Sequence, residues 1–339
     1  MANLKANLKT LKDYLIVDAH NHLYAKIEHG QGVRQMENVI KPGFETDSFG
    51  IIEDALKNME RGNIAKTFIM PLMPVMMMRH TRVTKLPEGL SDEERKKAED
   101  EIDQLLIGRI QRMNRWACQV GKENPRFVPF IIVDPIMGPE LMRQEIKEMI
   151  MNHGAKGVGE LIPDEMGWSV DGLNADDPAI WPIWETAIEL DVPVICHFGP
   201  SHPHPLDPSK TVFNNTPEYY DDVVDRFPKL KMVELHMNAT MPTRYPELYK
   251  PSLEAGIAFA KRHPNVICDI SGNLGYGTPM EDLVEVIREV GAERVVWGSD
   301  FMWVNPLTEL VLLSQSSLTE KEKQLVLGEN AVRFFDLKI

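Results

Sequence analysis

Six side chains of the kinds that bind divalent metals stand at the ends of strand-like apolar runs. They are four histidines, one glutamate and one aspartate: His20, His22, Glu160, His197, His236 and Asp300. His20 and His22 are separated by one residue, and because strand side chains alternate between faces, both imidazoles point to the same side and can bind one ion. The other four side chains can join them only if their strands run parallel around a common axis. The pattern therefore predicts a metal-dependent enzyme on a barrel.

Taken singly, each of these residues has an ordinary structural explanation. A histidine at a strand end is commonly a hydrogen-bonded structural residue, and an aspartate after Gly-Ser is commonly a turn or cap. The set of six, at the ends of the first, fourth, fifth, sixth and eighth predicted strands, favours a metal site. Nitrogen and carboxylate donors suit a borderline divalent ion, so we expect one or two zinc ions, with manganese, iron or cobalt as alternatives.

Eight short apolar runs supply the strands that would position these side chains. They cover residues 15–19, 65–70, 127–133, 155–159, 192–196, 231–235, 266–270 and 294–297. Helical patterns lie between them or after the last, at 50–62, 138–153, 178–190, 216–227, 246–263, 279–290 and 319–335. Strands that alternate with helices indicate a parallel sheet, and eight such units favour a closed (β/α)8 TIM barrel. The absence of Gly-x-Gly-x-x-Gly after the first strand argues against a dinucleotide fold.

The interval between the second and third strands is irregular and predicts a helical insertion at about 71–125. Ser91 and Glu94 have the spacing of a capping box, and apolar residues recur after them at helical spacing. The insertion would distort the barrel and act as a lid or as a subunit contact, and the sequence favours neither. Because no linker rich in Pro, Gly or Ser divides the chain, we expect one domain over residues 1–339.

Bulk composition limits the classes of partner. The chain has 339 residues, a net charge of −14, 43% hydrophobic residues and 26% charged residues, which is typical of soluble globular proteins. An acidic protein without basic runs is not expected to bind nucleic acid. We expect a cytoplasmic protein without membrane association, since the N-terminus lacks a signal-peptide core and no apolar run spans a bilayer. Three widely spaced cysteines predict buried, inert thiols.

The order and spacing of the motifs resemble the amidohydrolase superfamily. The motifs are Val-Asp-Ala-His-Asn-His, single histidines after the fifth and sixth strands, and Trp-Gly-Ser-Asp. The last of these, with the closing helix Gly-Glu-Asn-Ala-Val-Arg-Phe-Phe, is similar to the amidohydrolase-related branch, which includes aminocarboxymuconate-semialdehyde decarboxylase, hydratases, lactonases and carbon–carbon hydrolases. The resemblance extends from about residue 14 to the C-terminus and implies a barrel with metal-dependent chemistry.

The resemblance also implies roles for five of the six residues. His20 and His22 would bind the principal metal, and His197 and Asp300 would complete its shell. Asp300 would also accept a proton from the metal-bound water, which makes it a catalytic residue. His236 would be a ligand of a second metal, or a free acid/base and polarising group where only one metal is bound.

Glu160 bears on the class of reaction. The Val-Gly-Glu-Leu stretch around it is similar to metal-dependent deoxyribonucleases, in which a glutamate helps to bind two metals. Two ions activate a bridging hydroxide, so we expect a hydrolase of a small carbonyl compound: a lactone, amide, ester or activated ketone. The alternatives are a metal-dependent non-oxidative decarboxylase of an aromatic or unsaturated carboxylic acid, and a non-catalytic metal-binding barrel. The expected partner is a small molecule that can carry a carboxylate, and a homo-oligomer is compatible with the sequence.

Other side chains near the predicted barrel mouth are candidates for substrate contacts. They include arginines for a carboxylate, histidines of a Pro-rich loop, and apolar or polar residues that would line a pocket. In that order they are Arg79, Arg82, Arg244, His202, His204, Trp168, Trp303, residues 73–78, Asn273 and Tyr276. Each is equally well explained as a packing or surface residue.

Overall fold

Ten strands occur in the described part of the chain. The computed structural model describes residues 11–40, 48–163, 173–199, 201–204, 207–212, 215–239, 242 and 245–339. The strands are β1 Ile16–Asp18, β2 Ile64–Ile69, β3 Phe127–Pro129, β4 Val158–Leu161, β5 Pro193–Cys196, β6 Ser201–His204, β7 Asp207–Val212, β8 Lys231–Glu234, β9 Ile267–Asp269 and β10 Val295–Val296. Of the residues predicted to contact substrate, Trp168 and Arg244 lie outside the description, as do the side chains of His202 and His204.

Helices follow or separate most of these strands. They are α1 Ile27–Ile40, α2 Ile52–Gly62, α3 Val75–Val83, α4 Asp92–Glu123, α5 Gly138–His153, α6 Trp181–Glu189, α7 Pro217–Arg226, α8 Pro246–Arg262, α9 Met280–Val290, α10 Pro306–Ser314, α11 Glu320–Gln324 and α12 Asn330–Phe334. None of the helices among the described residues combines the length and apolar character needed to cross a membrane.

Eight parallel strands form a ring. They pair as β1–β2–β3 and as β4–β5–β8–β9–β10. Backbone hydrogen bonds close both gaps: Ile131 N–H donates to Gly157 O (3.2 Å) between β3 and β4, and Ala19 N–H donates to Trp297 O (3.1 Å) between β1 and β10. The fold is therefore the predicted distorted (β/α)8 barrel.

The inside of the ring is a packed apolar core. Phe68 of β2 stacks on Phe130 at 4.8 Å between ring centroids, and Phe335, just after α12, meets Phe68 edge-on at 4.7 Å. Val17, Val233 and Val296 belong to the same buried cluster. Since this core fills the barrel interior, polar side chains are placed beyond the carboxyl ends of the strands.

The insertion between β2 and β3 consists of α3 and α4. Ser91 caps α4 by accepting a hydrogen bond from Glu94 N–H (3.3 Å), and the Glu94 carboxylate accepts one from Ser91 N–H (2.9 Å), as the capping-box spacing predicted. Asn114 ties α4 to the barrel because it donates to Ile132 O (2.8 Å) and accepts from Ile132 N–H (3.0 Å). Arg79 of α3 binds the carboxylate of Asp103 (2.6 and 3.2 Å), so its charge is already compensated within the insertion.

Two local predictions differ from the structure. The segment after β5, predicted as a Pro-rich loop, contains the antiparallel hairpin β6–β7. The closing helix, predicted as one unit over 319–335, is interrupted by the π-helical segment Leu325–Glu329. Its cause is a competing bond, because Val326 O accepts from Trp297 N–H (3.0 Å) at the end of β10. The three cysteines are buried and free, as expected.

Candidate metal centre

The first and last strands of the ring are held together beside the site by Asp18 and Ser299. Asp18, the last residue of β1, accepts hydrogen bonds from Ser299 N–H (2.8 Å) and from the Ser299 hydroxyl (2.7 Å). Asp300 N–H in turn donates to His20 O (3.0 Å). These bonds fix the backbone that carries His20 and Asp300, although the two residues come from opposite ends of the sequence.

Glu160 and Asp300 each bring a carboxylate oxygen within 3.6 Å of the His20 and His22 Nε2 atoms at the carboxyl ends of the strands. His20 Nε2 and His22 Nε2 are 3.1 Å apart, and Glu160 Oε2 lies 3.5 Å from the first and 3.1 Å from the second. Asp300 Oδ1 lies 3.6 Å from His20 Nε2 and 3.5 Å from His22 Nε2. All four residues are at most 4% exposed. The predicted convergence of these side chains is thus present.

Hydrogen bonds to the Nδ1 atoms of His22 and His236 determine that the Nε2 atom of each imidazole faces the donor cluster. His22 Nδ1 lies 3.0 Å from Met70 O, and His236 Nδ1 lies 3.0 Å from Ser271 O. A carbonyl oxygen only accepts, so both Nδ1 atoms carry hydrogen and both Nε2 atoms face the site. The Ser271 hydroxyl also bridges His236 Nδ1 (3.1 Å) and His20 Nδ1 (2.8 Å). Such bonds orient imidazoles for metal binding.

Glu160 connects the four-atom cluster to the other two histidines. Its Oε1 lies 2.6 Å from His197 Nδ1 and 3.9 Å from His236 Nε2, while its Oε2 faces the histidine pair. Two sets of donor atoms are close enough to hold one ion, one with His20, Glu160 and His236 and the other with His20, His22 and Asp300. His197 belongs to neither set and contacts Glu160 instead. Its role as a metal ligand stays a prediction.

The backbone at His236 and Asp300 adopts the left-handed region, with φ of 58° and 55°. Few residues other than glycine adopt this conformation, which costs ~1–3 kcal/mol per residue and persists where the surrounding contacts hold the backbone in place. Asp300 is held in place through its second oxygen, because the Tyr276 hydroxyl donates to Asp300 Oδ2 at 2.5 Å. Oδ1 is left facing the histidines.

The charges of the cluster are strongly coupled. Burial opposes ionisation of Glu160, but hydrogen bonds from His197, His20 and His22 hold its pKa well below the ordinary value. Burial likewise opposes ionisation of Asp300, and the bond to His22 and the charge of His20 lower its pKa to about 2. Burial and the neighbouring His197 lower the pKa of His236 to about 4. The centre therefore has two carboxylate anions and a neutral His236.

Two residues that form hydrogen bonds to the candidate metal ligands lie after β9, and the sequence alone did not indicate this role for either of them. Tyr276 was a candidate only for lining a pocket, and Ser271 was not predicted at all. Ser271 follows Asp269 by two residues, which is the strand alternation that also aligns His20 with His22. The signal was thus present, but Ser and Tyr are too common at strand ends to be singled out.

The sequence profile of the amidohydrolase family matches residues 17–337. The chain belongs to this family, and the resemblance to its decarboxylase-containing branch is confirmed. It is 26% identical over 254 residues to gamma-resorcylate decarboxylase of Polaromonas sp., which covers 65% of this chain and 74% of that protein. It is also 26% identical over 250 residues to 2-amino-3-carboxymuconate-6-semialdehyde decarboxylase of Dictyostelium discoideum, which covers 67% of this chain and 66% of that protein.

A solved structure has the same fold. The dihydroxybenzoic acid decarboxylase of Polaromonas sp., with bound manganese and the inhibitor 2-nitroresorcinol, superposes with a TM-score of 0.64 at 19% identity. The match covers 96% of this chain and 97% of that protein. Family membership and these similarities support the interpretation of the chain as an enzyme.

The expectation of a hydrolase is wrong. The two similar proteins described above are decarboxylases, which correspond to the alternative rather than to the main interpretation. The error came from Glu160, which was taken as a bridge between two ions. In the structure Glu160 belongs to the donor set with His20 and His236, and Asp300 to the set with His20 and His22, so the number of ions stays a prediction. The preference for zinc is likewise not confirmed, since the solved relative binds manganese.

Proposed function

We propose that this protein is a metal-dependent non-oxidative decarboxylase of a small aromatic or unsaturated carboxylic acid. The observation that carries the proposal is the pair His20 Nε2 and His22 Nε2, 3.1 Å apart, with Glu160 Oε2 and Asp300 Oδ1 each 3.1–3.6 Å from both nitrogens. The decarboxylase activity of the similar proteins selects this chemistry among the reactions that such a centre supports.

The donor set fits one divalent cation. Ligands at ~2.0–2.2 Å from a common ion are roughly 3 Å apart, which is close to the separations found here. Two carboxylate anions and two imidazole lone pairs suit manganese as well as zinc. We propose manganese as the first ion to test, because the solved decarboxylase of the same fold carries it. When bound, the cation supplies positive charge and open positions for substrate oxygens.

The side chains around the centre have separate roles in the reaction. Decarboxylation replaces the bond between carbon and the carboxylate by a C–H bond, so the substrate gains one proton and releases carbon dioxide without consuming water. We assign the proton transfer to His236: its Nδ1–H donates to Ser271 O, and its Nε2, which faces the cluster, takes up a proton from solvent and passes it to the carbon that loses carbon dioxide. His197 keeps Glu160 ionised, and Tyr276 orients Asp300.

Isotopic labelling tests whether the reaction is a decarboxylation or a hydrolysis. Protein reconstituted with Mn²⁺ is incubated with 2,6-dihydroxybenzoate and a panel of hydroxybenzoates and unsaturated acids in D2O and, separately, in ¹⁸O-labelled water. We expect carbon dioxide, one deuterium on the product carbon that lost the carboxylate, and no ¹⁸O in the organic product. Incorporation of ¹⁸O into the product, or no carbon dioxide from any acid of the panel, would exclude the proposed function.

Tyr276→Phe removes the hydroxyl that holds Asp300 Oδ2 and leaves the ring in place. Groups that orient a metal ligand in this way contribute ~10–100-fold to metal affinity or activity. We expect Mn²⁺ affinity, measured by competition with a chelating dye, or turnover to fall by that factor. Tyr219→Phe on α7 is the control, since Tyr219 is partly buried in a hydrophobic cluster and remote in the sequence from the cluster residues. Equal affinity and turnover in wild type and Tyr276→Phe would contradict this role.

A further inference from the structure

A large cavity lies beside the metal centre, between α1, the segment after β2, and α4. Its volume is about 580 Å³, within the range of small-molecule sites. Its apolar wall includes Leu23, Met78, Met113 and Trp116. Methionine and tryptophan make favourable contacts with aromatic rings, so this wall suits a ring-shaped ligand.

Two residues connect the cavity to the metal centre. Leu72 and Met73 line the cavity and also line a crevice of about 10 Å³ that reaches Glu160. A crevice of that size holds about one water molecule. The cavity is therefore adjacent to the cluster, and the side chains of Leu72 and Met73 separate the two spaces.

The polar wall of the cavity is cationic. Arg109 and Arg112 of α4 line it, and neither guanidinium is bonded to a carboxylate in the described part of the chain. Burial, then the nearby charges of Arg82 and Arg112, lower the pKa of Arg109. Among the described residues of the lining, Glu28 is the only carboxylate, against two arginines. This local excess of positive charge stands out in a chain with a net charge of −14.

Arginines that have no carboxylate partner among the described residues, beside an apolar wall, are suited to a ligand with one anionic end and one aromatic body. Guanidinium groups form paired, charge-assisted hydrogen bonds with carboxylates. An acidic protein also repels an anionic substrate at long range, and a local cationic patch offsets this repulsion near the site. The expected substrate class, an aromatic carboxylate, has both the charge and the shape that the cavity offers.

We propose, on the basis of the decarboxylase function, that this cavity is a vestibule that binds the aromatic carboxylate substrate before it passes Leu72 and Met73. Arg109 and Arg112 bind the carboxylate, and the ring lies on the wall that contains Met113 and Trp116. The vestibule is a binding site separate from the metal cluster, so it retains its ligand when the metal is removed.

The test measures binding to protein stripped of metal with a chelator. Calorimetry or Trp fluorescence compares 2,6-dihydroxybenzoate with resorcinol, the same ring without the carboxylate. We expect the acid to bind at least ~10-fold more tightly, and the double variant Arg109→Gln/Arg112→Gln to lose at least ~10-fold in affinity, as for loss of a charge-assisted bond. Added salt should weaken binding to wild type more than to the variant. In turnover assays the loss should appear mainly in KM.

Arg115→Gln is the matched control, because Arg115 is an exposed arginine of the same helix that does not line the cavity. Arg109→Lys/Arg112→Lys, which retains both charges, should recover part of the affinity. Phenyl phosphate distinguishes a general anion site from a carboxylate site. The proposal is overturned if metal-free wild type does not bind the acid, if the double Gln variant binds it as well as wild type does, or if phenyl phosphate binds more tightly than the acid. None of these measurements requires turnover, so failure of the vestibule and failure of the decarboxylase function are distinguishable.

Discussion

His22→Ala protein is expected to fold but to purify without the divalent ion, and to lose turnover of every acid that the wild type accepts. His22 Nε2 lies 3.1 Å from both His20 Nε2 and Glu160 Oε2, so its removal leaves three of the four donors. Two carboxylates and one imidazole then bind the ion too weakly to retain it during purification. Elemental analysis of the purified protein, together with carbon dioxide release, measures both effects.

His153→Ala serves as the control for this experiment. His153 is a surface histidine at the end of α5 that pairs with Glu148, and its loss should change neither metal content nor rate. A His22→Ala protein that is free of metal and still active would show that the cluster is not the reaction centre.

His236→Asn should have the second large effect, and of a different kind. The ion should stay bound while the rate falls by ~10²–10⁴-fold, the range for loss of a positioned acid/base group. Asparagine retains an N–H that can donate to Ser271 O but provides no Nε2 to exchange a proton. Single-turnover rates and metal content, measured on the same preparation, separate the two properties.

His263→Asn is the matched control because His263 is equally buried, at 9% exposure, and bonds Asp221 instead of the cluster. Its rate should remain close to that of wild type. If His236→Asn loses the metal, whatever its reaction rate, His236 is instead a ligand of the ion. If the variant keeps the metal and its rate is unchanged, His236 does not take part in the proton transfer.

Most of the barrel could be predicted from the sequence. Each buried parallel strand is a continuous apolar run, and those runs lie within a few residues of the observed strands. The predictions failed in two segments, of which one depends on a long-range contact and the other is a local hairpin. The π-helical turn exists because Val326 O bonds Trp297 N–H, and the hairpin β6–β7 forms in a segment whose prolines indicated a loop.

The convergence of the candidate donors could be predicted from the sequence, their role as metal ligands stays a prediction, and the predicted reaction was wrong. His20 and His22 show the alternation of a strand, and Glu160 and Asp300 stand at the ends of apolar strand-like runs. These four residues could therefore be found before the fold was known. The same donors serve hydrolysis and decarboxylation, because the substrate decides whether water or a proton is the second reactant. Supporting groups such as Ser271 are placed by tertiary contacts, which a single sequence does not display.

The closure of the ring by Asp18 and Ser299 has a consequence for how the protein is made. These two residues are 281 positions apart. Residue 300 has to be synthesised before His20 and Asp300 can meet, and contacts this distant in sequence form slowly. Until then the nascent chain carries His20 and His22 without Asp300. We therefore expect the donor set of His20, His22 and Asp300 to form late in folding, when the ring closes.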